Sequence, residues 1–180
     1  MVSSFCETYY TQSGAPIVAV SCSKGGTNTD FWLPGTPALS DAISRFHAAE
    51  SYLEENGYII DHKLMVWYQG CSDYQSSAEV YTDNTLAIFN AMKAEGIESI
   101  GVIQISNGPA DRQSGHEMIQ NAQTALCEQS QSDGIVMISV LPKQLERQAD
   151  ELHLTQSSYE TLGADAAENL VQYLTTGSES

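Results

Sequence analysis

Residues 64–105, LMVWYQGCSDYQSSAEVYTDNTLAIFNAMKAEGIESIGVIQI, carry the alternation on which the fold is read. Leu64-Met65-Val66-Trp67-Tyr68 is a short apolar run with the signature of a buried strand, and it ends in the polar loop Gln69-Gly70-Cys71-Ser72-Asp73. The spacing then predicts a helix from about Ala78 to Glu95, closed by Gly96. Ile100-Gly101-Val102-Ile103-Gln104-Ile105 is the next strand. Working outward toward the C-terminus, a helix follows over Gly115 to Gln129, and Ile135-Val136-Met137-Ile138 is a further strand. The last helix shows Ser157 and Glu160 as a capping box, with Tyr159, Leu162, Ala166, Leu170, Tyr173 and Leu174 as its apolar stripe.

Toward the N-terminus the pattern continues. Leu39, Ala42, Ile43, Phe46, Ala49 and Leu53 recur at helical spacing, with Gly57 as a C-cap. Ile17-Val18-Ala19-Val20-Ser21-Cys22 reads as a buried strand, followed by the glycine loop Ser23-Lys24-Gly25-Gly26-Thr27. Ser3 to Tyr10 reads as the tail of a helix that Gly14-Ala15-Pro16 ends. Strands alternating with helices give βαβ units, hence an α/β fold. The expectation is a three-layer α/β/α sandwich with a four-stranded parallel sheet, in one domain over residues 1–180 without internal repeats.

Composition narrows the classes of partner. With 42% apolar and 17% charged residues the chain is globular rather than disordered. It holds no run of the roughly 18 apolar residues that a membrane-spanning helix needs. Seven Lys and Arg against 23 Asp and Glu leave a net charge of −16. That balance argues against nucleic acid and against an anionic membrane, and it favours neutral partners. Met1 to Tyr10 lacks the basic and apolar regions of a signal peptide, so a cytoplasmic location is expected. Cys6, Cys22, Cys71 and Cys127 lie far apart with no paired spacing, which fits free thiols rather than a zinc site or disulfide framework.

Open α/β sheets bind ligands beyond the carboxyl ends of their strands, so the polar loops there are the places to look for chemistry. Asp150 and His153, just before the last helix, are spaced so that a turn can bring the carboxylate to Nδ1. That leaves Nε2 free as a general base. Equally, the spacing suits capping or surface residues. Gln69 emerges at a strand end, where its amide can donate to a developing oxyanion or merely satisfy local carbonyls. Gly26 offers a backbone N–H near the same edge, although Gly-Gly pairs also serve tight turns alone.

In this order the loops resemble the sialate O-acetylesterase and acetylxylan esterase branch of the SGNH hydrolases. That branch shows GGT with a following W, then W-x-QGE-x-D, an A-Q pair, D-x-x-H-L-T and Y-x-x-L-G. The matches are Gly25-Gly26-Thr27 with Trp32, Trp67-Tyr68-Gln69-Gly70 with Asp73, Ala122-Gln123, Asp150 with His153-Leu154-Thr155, and Tyr159 with Leu162-Gly163. The resemblance implies a flavodoxin-like SGNH fold and deacetylation of an acetylated carbohydrate through an acyl-serine, without metal or other cofactor. By position it makes Gly26 and Gln69 oxyanion donors, and His153 a general base oriented by Asp150.

Two departures carry weight. The family opens with a central strand ending in G-Q-S-N, whose serine is the nucleophile, and no such tetrapeptide occurs here. Gln12-Ser13, Gln113-Ser114 and Gln156-Ser157 follow no apolar strand. Ser21 and Ser23 are nearer the glycine loop but do not match the motif. The missing strand belongs between those at Ile17 and Leu64, so its absence would leave unpaired backbone groups on both. The resemblance thus implies a truncated or split gene product, or a second chain supplying strand and serine. By itself, the chain is expected to be inactive on acetyl esters. The second departure is Cys71 where the family has Glu, which leaves the orienting role to Asp150; a thiolate nucleophile at Cys71 would need a stabilising partner. Two other readings stand beside the esterase. One is a catalytically inactive glycan-binding relic, with Phe31 and Trp32 stacking on sugar rings. The other is a fragment that does not fold stably.

Overall fold

In the computed structural model, which describes residues 1–177, the segment that opens the sequence reading forms β1 (Leu64–Trp67), α3 (Ala78–Ala94) and β2 (Ser99–Ile103). These are followed by α4 (Gln113–Ser130), β3 (Ile135–Ser139) and α5 (Gln156–Gly177), and preceded by α1 (Val2–Ser13) and α2 (Pro37–Glu55). The last three positions of the expected domain lie outside the described residues. No described helix is long and apolar enough to cross a membrane.

The sheet is parallel, in the order β1-β2-β3. Met65 pairs with Ile100 and Trp67 with Val102; Ile100 in turn pairs with Ile135. Right-handed crossovers that keep moving in one direction leave their helices on one face. Accordingly Trp67, Ile100, Val102 and Ile135 pack with residues of α2, α3 and α4, including Leu39, Ile88, Phe89 and Leu126. The alternate positions Ile103, Val136 and Ile138 face α1 and α5, where they meet Phe5, Tyr9, Leu162, Ala166 and Leu170. Two apolar clusters on opposite faces of one sheet make the three-layer α/β/α sandwich. The stripe predicted for α5 is its buried face.

Local caps explain the helix starts. The Thr36 hydroxyl accepts from the Leu39 N–H ahead of Pro37, and Ser77 accepts from the Val80 N–H. For α5 the expected Ser157–Glu160 box is not the cap. Thr155 is: its hydroxyl accepts from the Ser158 N–H at 3.3 Å, and Ser158 in turn donates to the Glu146 carbonyl. Starting the helix at Thr155 lets Ser158 tie the loop before it, which Ser157 on the exposed side cannot do.

A second expectation fails more instructively. Ile17–Cys22 is not a strand, and the sheet of the described residues has three strands rather than four. Val18 and Val20 are exposed, and among the described residues this segment makes no backbone–backbone hydrogen bond. Its contacts are Ile17 against the α1–α5 cluster and the Ser21 carbonyl near Arg45. A helix carries its own hydrogen bonds, whereas a strand exists only beside a partner. Here, among the described residues, the edge of β1 that faces away from β2 has no strand partner.

Candidate active site

Asp150 and His153 lie in a hooked segment between the end of β3 and α5. The hook is closed by Gln148 N–H to the His153 carbonyl at 2.7 Å and by Thr155 N–H to the Glu146 carbonyl at 3.1 Å. Inside it Asp150 works with both oxygens. Oδ1 accepts from the N–H groups of Leu152 and His153, each at 3.0 Å, and Oδ2 lies 2.6 Å from His153 Nδ1. The bond to His153 and the two backbone donors hold the Asp150 carboxyl down at about 2, well below the ordinary carboxylate range. An ionised carboxylate on Nδ1 keeps the proton there and leaves Nε2 as the acceptor. Both side chains are about half open to solvent.

Gln69 follows β1, and Gly70 allows the turn that sets it there. Gly70 has φ +138°, and a Cβ on it would press on Ile119 and Ile105, so no other residue fits. The Gln69 amide nitrogen donates to the Thr27 carbonyl at 3.2 Å and to Asp73 Oδ2 at 2.5 Å. Both of its hydrogens are therefore engaged inside the protein, while Oε1 is buried without a partner. The Gln69 carbonyl accepts from Tyr81 and from Gln123, and Gln123 Oε1 accepts from the Ile105 N–H. Gln123, from α4, thus stitches the ends of β1 and β2 together.

Asp73 is the polar centre of this half of the site. It is 1% exposed. Its Oδ1 accepts from the Thr29 N–H at 3.0 Å and the Thr29 hydroxyl at 2.7 Å, which pins the glycine loop to the end of β1. Asn84 of α3 supports Thr29 from behind at 3.1 Å. Gly26 lies at the exposed turn of that loop with φ +73°, and among the described residues its N–H has no protein partner. Sequence reasoning quoted Asp73 as part of a motif without assigning it this work, and it missed Thr29, Tyr81 and Asn84. Their partners lie too far along the chain for spacing to show.

The structure thus joins Asp150 to His153, and Gln69 to the glycine loop. Tyr68 and Tyr159 are partly buried against the α1–α5 cluster, and burial raises the Tyr159 phenol. His153 and Gln69 share no hydrogen bond among the described residues. Trp32, expected to offer a sugar-stacking face, is instead buried, and its N–H donates to the Thr27 hydroxyl. Only Phe31 of that pair is exposed, lining a cleft of about 350 Å³ with Ser21, Ser23 and Lys24. Burial pushes the Cys71 thiol up to about 11, so it stays protonated near neutrality and is a poor nucleophile. Gln12-Ser13, Gln113-Ser114 and Gln156-Ser157 fall at the end of α1 and the starts of α4 and α5, none of the three at a strand end.

The chain matches, over residues 2–172, the family described as carbohydrate esterase, sialic acid-specific acetylesterase. No curated protein matches it. Among solved structures it is similar to a protein of Arabidopsis thaliana, with 24% identity and a TM-score of 0.74, over 95% of this chain and 66% of that one. It is also similar to a GDSL-like lipase of Bacteroides thetaiotaomicron, with 12% identity and a TM-score of 0.54, over 94% and 83% of the two chains. At such identities these likenesses show the fold. The chain spans just under two thirds of the Arabidopsis protein's length.

Proposed function

This chain belongs to the carbohydrate esterase, sialic acid-specific acetylesterase family, and from that premise we propose that it supplies the base and oxyanion parts of a carbohydrate O-acetyl ester hydrolase. The nucleophilic serine comes from a strand outside this sequence, carried by an extension or by a second chain that pairs with the free edge of β1. Supporting this reading is one observation above the rest: the 2.6 Å contact that fixes His153 Nδ1 to an ionised Asp150.

In this mechanism the serine Oγ attacks the acetyl carbonyl carbon and passes its proton to His153 Nε2. The carbonyl oxygen gathers charge against the Gly26 N–H and the Gln69 amide. For that, Gln69 exchanges its 3.2 Å bond to the Thr27 carbonyl for the stronger acceptor and keeps its bond to Asp73. Collapse expels the sugar oxygen, which takes the proton from His153. Water then repeats the sequence on the acyl-serine and releases acetate.

The test is hydrolysis of 4-nitrophenyl acetate. The chain alone should be inactive. Fused behind an apolar strand ending in Gly-Gln-Ser-Asn, it should turn over, His153→Ala should abolish that activity, and Gln69→Ala should cost about 10²-fold in kcat. Turnover by the unfused chain that His153→Ala abolishes would remove the need for an outside serine. Full activity of the fused His153→Ala protein would remove the dyad's role.

One observation favours a second reading, glycan binding without hydrolysis: both Gln69 amide hydrogens are already engaged within the protein. Calorimetry with acetylated xylo-oligosaccharides would show binding and no released acetate in that case.

A further inference from the structure

Arg147 is one of only seven cationic side chains, yet its guanidinium is spent on backbone carbonyls. Nη1 lies 2.8 Å from the Asn107 carbonyl and 2.8 Å from the Glu151 carbonyl. The first anchor is firm. Asn107 follows β2, and its side-chain oxygen accepts from Gln120 of α4, which also binds the Ile105 carbonyl. The second anchor lies inside the Asp150–His153 hook. Glu151 is the one non-glycine residue with positive φ among those described, at +57°.

The peptide between Glu151 and Leu152 is therefore gripped at both poles. Its N–H donates to Asp150 Oδ1, and its carbonyl accepts from Arg147. A turn of this peptide would break both bonds, and Asp150 Oδ1 is what aims Oδ2 at His153. A non-glycine residue in the left-handed region is strained and persists only when its surroundings enforce it. Arg147 also opens the hook, bridging to Leu154 across it.

We infer that Arg147 is a positioning residue for the Asp150–His153 pair: by holding the Glu151 carbonyl against the loop after β2, it fixes the peptide that orients the Asp150 carboxylate. The inference rests on the esterase reading only for the meaning of that pair, and it is tested without turnover.

The experiment is NMR on the full chain, following the Asp150 carboxyl carbon through a pH titration and the His153 Nδ1 proton at low field. In Arg147→Ala the Asp150 midpoint should rise by about one unit or more, toward its ordinary value near 4, and the Nδ1 proton should be lost to exchange. The urea midpoint should move little, which separates positioning from general stability. Arg147→Lys should recover the pair only in part, because its ammonium can donate to both carbonyls as Nη1 does but ends about one bond short of where Nη1 sits; it carries the test if the alanine variant does not fold. An unchanged Asp150 midpoint and Nδ1 proton in the variant that folds would overturn the inference. A strand-fused protein with no esterase activity would sink the esterase reading and leave these NMR outcomes standing.

Discussion

At the residue scale the site is organised by two carboxylates of different kinds. Asp150 is half open and acts over three residues, so its partner His153 could be read directly from spacing: the turn that joins them is local. Asp73 is buried and acts across 44 residues to Thr29, a distance no motif reports. Removing its carboxylate strands the Thr29 N–H, the Thr29 hydroxyl and one Gln69 hydrogen in a dry interior. Each unsatisfied donor there costs about 1–3 kcal/mol. Asp73→Ala should therefore lower the unfolding free energy by about 3 kcal/mol or more, measured by urea denaturation. Asp73→Asn should cost less, since one oxygen still accepts from Thr29, but its amide hydrogens face the Gln69 amide. Equal stability of Asp73→Ala and the parent protein would show that the glycine loop is not held by this residue. Trp32 illustrates the same limit of spacing: its ring turns inward because the Thr27 hydroxyl takes its N–H, a contact that composition does not announce.

Between elements, the apolar periodicity of the sequence placed every helix within a few residues, because helical hydrogen bonds are internal and only one face needs a neighbour. It failed for Ile17–Cys22, where an apolar β-branched run signals burial but cannot supply a ladder. The pairing of α1 with α5 was also hidden, although the small residue that permits it was in view. Gly163 sits where the two helices approach, and a methyl group there would collide with Ser4 Oγ and the Met1 carbonyl oxygen, and would lie 3.0 Å from the Phe5 nitrogen. Gly163→Ala should push α1 off α5, exposing part of Phe5 and Tyr9, and cost about 1–3 kcal/mol despite the better helix propensity of alanine. A fall in the urea midpoint with loss of tyrosine near-UV circular dichroism would register it. An unchanged or higher midpoint would mean that α1 contributes nothing to the packed core.

For the molecule as a whole, β3 has α4 and α5 packed on its two faces, and among the described residues β1 has no strand partner on the side away from β2. Exposed apolar groups include Val66 on β1 itself, and Val18 and Val20 on the segment that follows α1. An unpaired, partly apolar edge is a template for any extended chain, including another copy of itself. The net charge of −16 opposes self-association at low salt, so this face is better suited to a strand of less acidic composition than to its own kind. If the serine-bearing strand docks there, it gains a ladder with β1 and offers its other edge to Ile17–Cys22, which then has the partner it lacks. Hydrogen exchange reads this directly. In the chain alone, amides of residues 17–22 should exchange near unprotected rates while those of β2 are slow. In the strand-fused protein, residues 17–22 should gain about 10²-fold or more in protection, with the thermal midpoint rising alongside. Slow exchange over residues 17–22 before any strand is added would mean that the segment is already paired, and that the sheet has no vacancy for a nucleophile to enter.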